Sequence, residues 1–242
     1  MMAPMSEWFE DWFDADYAAL YAHRDGREAT VAVGTALREA PELSQGPVLD
    51  LACGGGRHLT ELRKVNPQAF GIDLSATLLA MAEPGIRPWL LRGDMRRLPV
   101  KAGLAGITLW FTPFGYFSDL ENEALLHSMT GLLRPSGVLL MDYLNAAELR
   151  RALVPLDTLE RNGIRVTSRR RIEDRRVIKE MDLLRLDTGE TRKARESVRV
   201  YEPGELEVMA ARAGLRLRKA MGTYDGSAFD ERCPRWIALF EK

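Results

Sequence analysis

The chain has 242 residues, with 34 Lys or Arg against 35 Asp or Glu for a formal charge of −1, and 46% of its residues are hydrophobic. This is the composition of an ordinary soluble protein with enough apolar mass for a substantial core, sized for one domain with an appendage or for two small ones, and it excludes disorder and collagen. No stretch reaches the roughly 20 apolar residues of a membrane helix, and the acidic, aromatic start MMAPMSEWFEDWFDADY is unlike a basic and then apolar signal peptide. Two cysteines, Cys53 and Cys233, cannot build a disulfide framework or a Cys-only zinc site. A cytoplasmic protein with no membrane partner is expected.

In chain order, residues 7–24 are rich in aromatics and residues 27–40 carry apolar side chains at helical spacing, which predicts two helices. VLDLAC is a short buried strand running into three glycines, Gly54 to Gly56. RHLTELRKV is the next helix, QAFGIDLS a second strand, SATLLAMAEPG a helix and RPWLLRGDM a third strand. AGITLWF, ENEALLHSMTGLLRPSG and VLLMDYLN continue as strand, helix and strand. This alternation implies right-handed crossovers and a parallel sheet covered on both faces. Segments near 163–171, 175–186 and 192–201 then alternate apolar with charged residues and read as a three-stranded antiparallel meander. A helix at EPGELEVMAARAG, with Pro203 in its first turn, precedes two final strands. Charge is uneven: residues 1–30 hold seven acids and two bases, and residues 161–200 thirteen bases and seven acids. The acids interleaved in the basic segment favour a solvated sheet face over a nucleic-acid footprint.

Open parallel sheets bind ligands outside the carboxyl ends of their strands, where strand order reverses. Three successive strand ends carry an acid there, Asp50, Asp73 and Asp94. An acid about 20 residues past a glycine turn also serves dinucleotides, but the third glycine of the Gly-x-Gly-x-x-Gly template, counted from Gly54, is Leu59 here. A ligand without a phosphate fits better, its amino-acid tail on the loop amides and its ammonium on the acid. Cys53 lacks a His/Asn partner set and reads as small buried filler, while His23, His58 and His127 lack metal-ligand spacing, so no metal is expected.

These residues resemble the class I S-adenosylmethionine-dependent methyltransferases. The family pattern Asp/Glu-x-Gly-x-Gly-x-Gly is met by Asp50, Ala52, Gly54 and Gly56, with alanine at the first glycine as in a known variant. Asp73 falls where the family binds ribose hydroxyls, Gly93-Asp94-Met95 is similar to its adenine site, and Leu133-x-Pro135-x-Gly137 resembles its entry to strand five. The loop TPFGYF resembles that of a small-molecule subgroup with an antiparallel insert after strand five, with Pro113 in place of its serine, and the subgroup is distantly similar to the glycine N-methyltransferase type.

The resemblance implies an α/β fold, a Rossmann-like seven-stranded mostly parallel sheet with helices on both faces and a small antiparallel β insert after strand five. Residues 1–45 are expected as a helical cofactor cover, 46–148 and 202–242 as the core, and 149–201 as a lid. The implied cofactor is S-adenosyl-L-methionine, held by Tyr17, Tyr21, Arg24 (or Arg27), Asp50, Ala52, Cys53, Gly54, Gly56, Asp73, Leu74, Asp94, Met95 and Phe111. Tyr116, Tyr143 and Asn145 are expected to meet a small-molecule acceptor through its N or O, and Tyr116 and Asp142 are the candidates for acid–base catalysis. A monomer or homodimer that binds no nucleic acid is expected. A non-catalytic cofactor-binding regulatory module and a nucleic-acid methyltransferase using the basic insert are the competing readings.

Overall fold

The computed structural model describes residues 7–23 and 26–242. Seven strands form the main sheet: β1 (Val48–Leu51), β2 (Ala69–Asp73), β3 (Leu90–Arg92), β4 (Leu104–Leu109), β5 (Leu133–Leu144), β10 (Arg216–Met221) and β11 (Arg235–Glu241), in the order β10-β11-β5-β4-β1-β2-β3. The run from β3 to β5 is parallel, and β11 is inserted antiparallel beside β5. Strand order reverses between β1 and β4. The fold is the expected Rossmann-like α/β architecture.

All residues of β1 and β4 are buried, as continuous apolar strands must be when helices cover both faces. One face packs against α6 (Asp119–Leu132) and α8 (Pro203–Arg212) through Leu125, Leu126, Met129 and Leu206. The other packs against α3 (Gly26–Glu39) and α4 (Arg57–Arg63) through Ala32, Val33, Leu59 and Leu62. Local chemistry fixes the helix starts. Ser118 and Glu121 form a reciprocal capping box on α6, Ser75 caps α5 (Ala76–Ala80) by accepting from the Leu78 amide at 3.0 Å, and Pro203 opens α8.

The antiparallel insert has four strands where three were expected: β6 (Leu156–Arg161), β7 (Ile164–Glu173), β8 (Arg176–Arg185) and β9 (Thr191–Arg199), paired in that order. A short α7 (Ala146–Ala152), capped by Asn145, leads into it. The first expected helix divides into α1 (Trp8–Trp12) and α2 (Ala15–Leu20), because Asp14 interrupts it and caps α2 with its carboxylate. These helices lie on the insert, with Trp12 and Leu20 packed among Ile164, Val166, Met181 and Leu183.

The uneven charge is resolved by the same contact. Arg192 pairs with Asp14 and Asp16, Arg185 pairs with Asp16, and Glu196 accepts from Trp12 Nε1 at 2.7 Å. Asp16 is 7% exposed, so its two guanidinium partners answer the cost of burying a carboxylate. The basic strand face is thus only partly solvated: some of its cations are spent on the acidic N-terminal helices.

Candidate functional site

A cavity of about 280 Å³ opens at the carboxyl ends of β1, β2 and β4, near the lower end of the roughly 300–1,000 Å³ typical of small-molecule sites. Its floor is the turn after β1. Ala52, Gly54 and Gly56 take left-handed backbone angles, φ 58°, 55° and 79°, a conformation that suits glycine and costs alanine on the order of 1 kcal/mol. Close packing holds the turn against β2: a Cβ on Gly71 would lie 2.6 Å from Cys53 Sγ. Burial, with the charges of Asp50 and Asp73 nearby, pushes the Cys53 thiol well up and leaves it an uncharged filler.

The three strand-end acids all line this cavity. Asp50 pairs in register with Thr108 of β4, and its Oδ1 accepts from the Thr108 hydroxyl at 3.1 Å while its buried Oδ2 has no hydrogen-bond partner among the described residues. Burial raises its pKa to about 7, with a smaller push from Asp73. Asp73 accepts from the Gly54 and Ser75 amides, each at 2.8 Å; burial raises its pKa against those two bonds. Asp94 is gripped by Arg96, whose Nη2 lies 2.7 Å from Oδ2. Burial pushes Asp94 up, but the Arg96 bonds prevail and hold it below its ordinary value.

Aromatic rings close the cavity from the N-terminal helices and the loop after β4. Tyr116 lies against Trp8, Phe9 and Phe13, with ring centroids 4.7, 6.0 and 6.0 Å apart. The Ser75 hydroxyl donates to the Phe13 carbonyl and so fastens the N-terminal segment over the end of β2. Phe111 and Thr112 both have positive φ, 63° and 62°, strain that surrounding bonds must hold in place.

Tyr17, Tyr21, Ala52, Cys53, Gly54, Leu74, Met95, Phe111 and Tyr116 line the cavity with the three acids. Arg24 lies outside the described residues. The other candidates are placed elsewhere. Gly56 is the left-handed cap of α4 and does not line the cavity. Asp142, a candidate base, is fully buried and committed: Oδ2 accepts from the Phe111 amide at 2.6 Å and the Tyr224 hydroxyl at 2.5 Å, and Oδ1 from Arg235 Nε at 2.7 Å. It holds the strained Phe111–Thr112 step and has no face toward the cavity. Tyr143 is likewise buried and donates to the Arg199 carbonyl. Asn145 caps α7 and donates to the carbonyls of Asp230, Glu231 and Cys233.

Sequence reasoning missed Arg57, His58, Trp110 and Phe117 as lining residues. His58 stacks on Trp110 at 4.7 Å and 13°, and burial with the adjacent Arg57 lowers its pKa well, so the ring is neutral. The only signal for it was its position two residues beyond the glycine turn. Among the described residues no group of three or more His, Cys, Asp or Glu side chains could hold a metal ion.

Residues 48–137, which carry all three acids and the turn, match the family model of the methyltransferase domain. That stretch is similar to a methyltransferase domain. It is 28% identical over 144 residues, 58% of this chain and 56% of the relative, to a dTDP-3-amino-3,6-dideoxy-α-D-glucopyranose N,N-dimethyltransferase of Streptomyces fradiae. The chain spans about half the length of the curated relatives it matches. In fold it is similar to an S-adenosylmethionine-dependent methyltransferase from Clostridium acetobutylicum, with TM-score 0.78, 18% identity and coverage of 93% and 94% of the two chains. It is also similar to CalS10, an amino pentose methyltransferase of Micromonospora echinaspora solved with S-adenosylmethionine bound, with TM-score 0.68, 22% identity and coverage of 93% and 96%. The matched span holds the turn, β1 to β4 and the start of β5; the rest of β5, β10, β11, the N-terminal helices and the insert lie outside it.

Proposed function

We propose that the protein transfers a methyl group from S-adenosylmethionine to an amine on a small molecule. The observation that carries this reading is the convergence of Asp50, Asp73 and Asp94 with the left-handed turn on one aromatic-capped cavity. The donor set fits the cofactor. Asp73, oriented by two amides, has lone pairs left for ribose hydroxyls, and the unpartnered Asp50 Oδ2 suits an ammonium group. Leu74 and Met95 supply apolar walls for a base, with Asp94 at the rim. A dinucleotide fits less well, since Leu59, fully buried, stands where its third glycine belongs.

When bound, S-adenosylmethionine supplies a methyl group already carried on a good leaving group. The chain's contribution is then positioning and exclusion of water. Tyr17, Phe13 and Tyr116 form an apolar roof that favours the neutral, nucleophilic form of an amine, because burial disfavours its charged form. We place residues 1–45 as a cover and 149–201 as a lid, within the small-molecule subgroup whose loop reads Thr-x-Phe-Gly-Tyr-Phe. The amino-sugar relatives support an amine acceptor of that kind. The Arg-rich insert spends its cations internally, Arg169 on Asp182, Arg170 on Asp157 and Arg171 on Glu173 and Glu180, which supports a protein without a nucleic-acid partner. No helix among the described residues is long and apolar enough to cross a membrane. The test is transfer of label from methyl-tritiated S-adenosylmethionine into a fractionated extract and into the amino-sugar nucleotide named for the Streptomyces fradiae relative, with the products identified by mass. A methylated amine is the expected product, and label confined to nucleic acid would overturn the assignment.

A further inference from the structure

The part of the cavity wall that Tyr116 forms is held from outside the main sheet. Residues 115–117, in the loop after β4, present three successive carbonyls to one guanidinium, that of Arg176 at the start of β8. Its Nη2 donates to the Gly115 carbonyl at 3.1 Å and to that of Tyr116 at 2.8 Å, and its Nη1 donates to that of Phe117 at 3.1 Å. Ser197 of β9 fixes the guanidinium in turn, its hydroxyl accepting from Nε at 2.9 Å and its carbonyl from Nη2 at 2.8 Å. The Arg199 amide adds a bond to the Gly115 carbonyl at 2.8 Å. The loop also lies hard against the insert side, since a Cβ on Gly115 would stand 2.9 Å from Tyr143 Oη and 3.2 Å from the Arg199 carbonyl oxygen.

Packing alone is a poor account of this arginine. Arg169, Arg170, Arg171, Arg185 and Arg192 of the insert each have a carboxylate partner. Arg176 is half-buried and forms no ion pair with a carboxylate among the described residues, and burial pushes its pKa down. A cation drawn partly out of water and answered only by carbonyls and a hydroxyl adds little stability. Its planar fork of N–H groups does, however, fix the geometry of whatever it binds.

We propose that Arg176 is a positioning residue for methyl transfer: it holds the carbonyls of residues 115–117 so that the Tyr116 ring keeps its place in the cavity roof, and it makes the insert the element that sets the room left for the acceptor amine. The proposal rests on the methyltransferase reading. Arg176 is not among the residues that line the cavity, so its effect passes through the loop. From the other side the Tyr116 ring is packed by Trp8, Phe9 and Phe13. The ring is therefore set between the N-terminal helices and a backbone anchored to β8 and β9. Without that anchor only the aromatic contacts remain to place it, and a misplacement of about 1 Å at a reacting site is enough to slow transfer about 100-fold.

The test is fluorine NMR of the full chain with its six tyrosines replaced by 3-fluorotyrosine, bound to S-adenosylmethionine and, separately, to S-adenosylhomocysteine. The two compounds differ by one methyl group and the positive charge on sulfur, and Tyr116→Phe assigns the line of interest. We expect the wild-type Tyr116 line to differ between the two complexes, Arg176→Met to shift or broaden it and to erase that difference, and Arg171→Met, on the same insert, to leave it as in the wild type. Ser197→Ala removes one of the guanidinium's acceptors, should move the line in the same direction, and decides the matter if Arg176→Met does not fold. A wild-type line that does not distinguish the two complexes overturns the proposal, as does a line unmoved in the Arg176 and Ser197 variants or moved as far by Arg171→Met. Wild-type protein that binds neither compound instead removes the methyltransferase reading on which the proposal stands.

Discussion

Asp50 has one oxygen satisfied and one not, and burial raises its pKa from 3.8 to about 7. Between those two values the native state holds a proton that the unfolded chain has released, so the group's contribution to stability is full below about pH 4 and lost as pH rises toward 7. Asp50→Asn removes that penalty. We expect it to raise the melting temperature of the ligand-free protein above pH 7, by at most about 4 kcal/mol in free energy, while weakening cofactor binding; calorimetric scans at two pH values check this. Asp142 behaves in the opposite way, because each of its oxygens is already bonded. Asp142→Ala leaves Arg235 without its buried partner and should cost about 3–5 kcal/mol in denaturant unfolding. A variant of normal stability that has lost methyl transfer would return Asp142 to the role of base. Asp50, Asp73 and Asp94 were legible in the sequence because each stands within a few residues of its own strand end. Asp142 and Asn145 were not, since their partners Tyr224, Arg235, Asp230 and Glu231 lie more than eighty residues away in the chain.

At the scale of elements, the N-terminal helices and the insert were each legible as apolar segments without a place in the parallel sheet. Their mutual contact was legible only as opposite charges. β6 escaped notice because its residues are alternately exposed and half-buried, with no buried apolar position to set a period. The division of the first helix was carried by Asp14, a good N-cap, masked in sequence by the aromatic run around it. The pairing predicts coupling. A double-mutant cycle of Asp16→Ala with Arg192→Ala should give an interaction on the order of 1 kcal/mol, and either change should weaken cofactor affinity by loosening the roof. Strict additivity in unfolding, with affinity unchanged, would make the ion pairs incidental to the cover.

For the whole molecule, the seven-stranded sheet places its reversal of strand order between β1 and β4, and the cavity opens there. The alternation of strands and helices made this legible, but the cavity's shape was not, because its roof joins rings of the N-terminal helices to Tyr116 of the loop after β4, far apart in the chain. A concave cavity of about 280 Å³ is of a size for a small molecule. Changing Arg169, Arg170 and Arg171 to Glu should accordingly leave methyl transfer to the small acceptor unaltered, and neither the wild type nor this variant should shift DNA or RNA in a gel at physiological salt. The central claim is tested most directly by isothermal titration of the intact chain with S-adenosylhomocysteine, alongside NAD and the Asp73→Ala variant. The account predicts binding of S-adenosylhomocysteine, none of NAD, and a loss of about 1.5–3 kcal/mol in the variant as ribose hydroxyls lose a charged acceptor; binding of NAD, or undiminished affinity in Asp73→Ala, would contradict it.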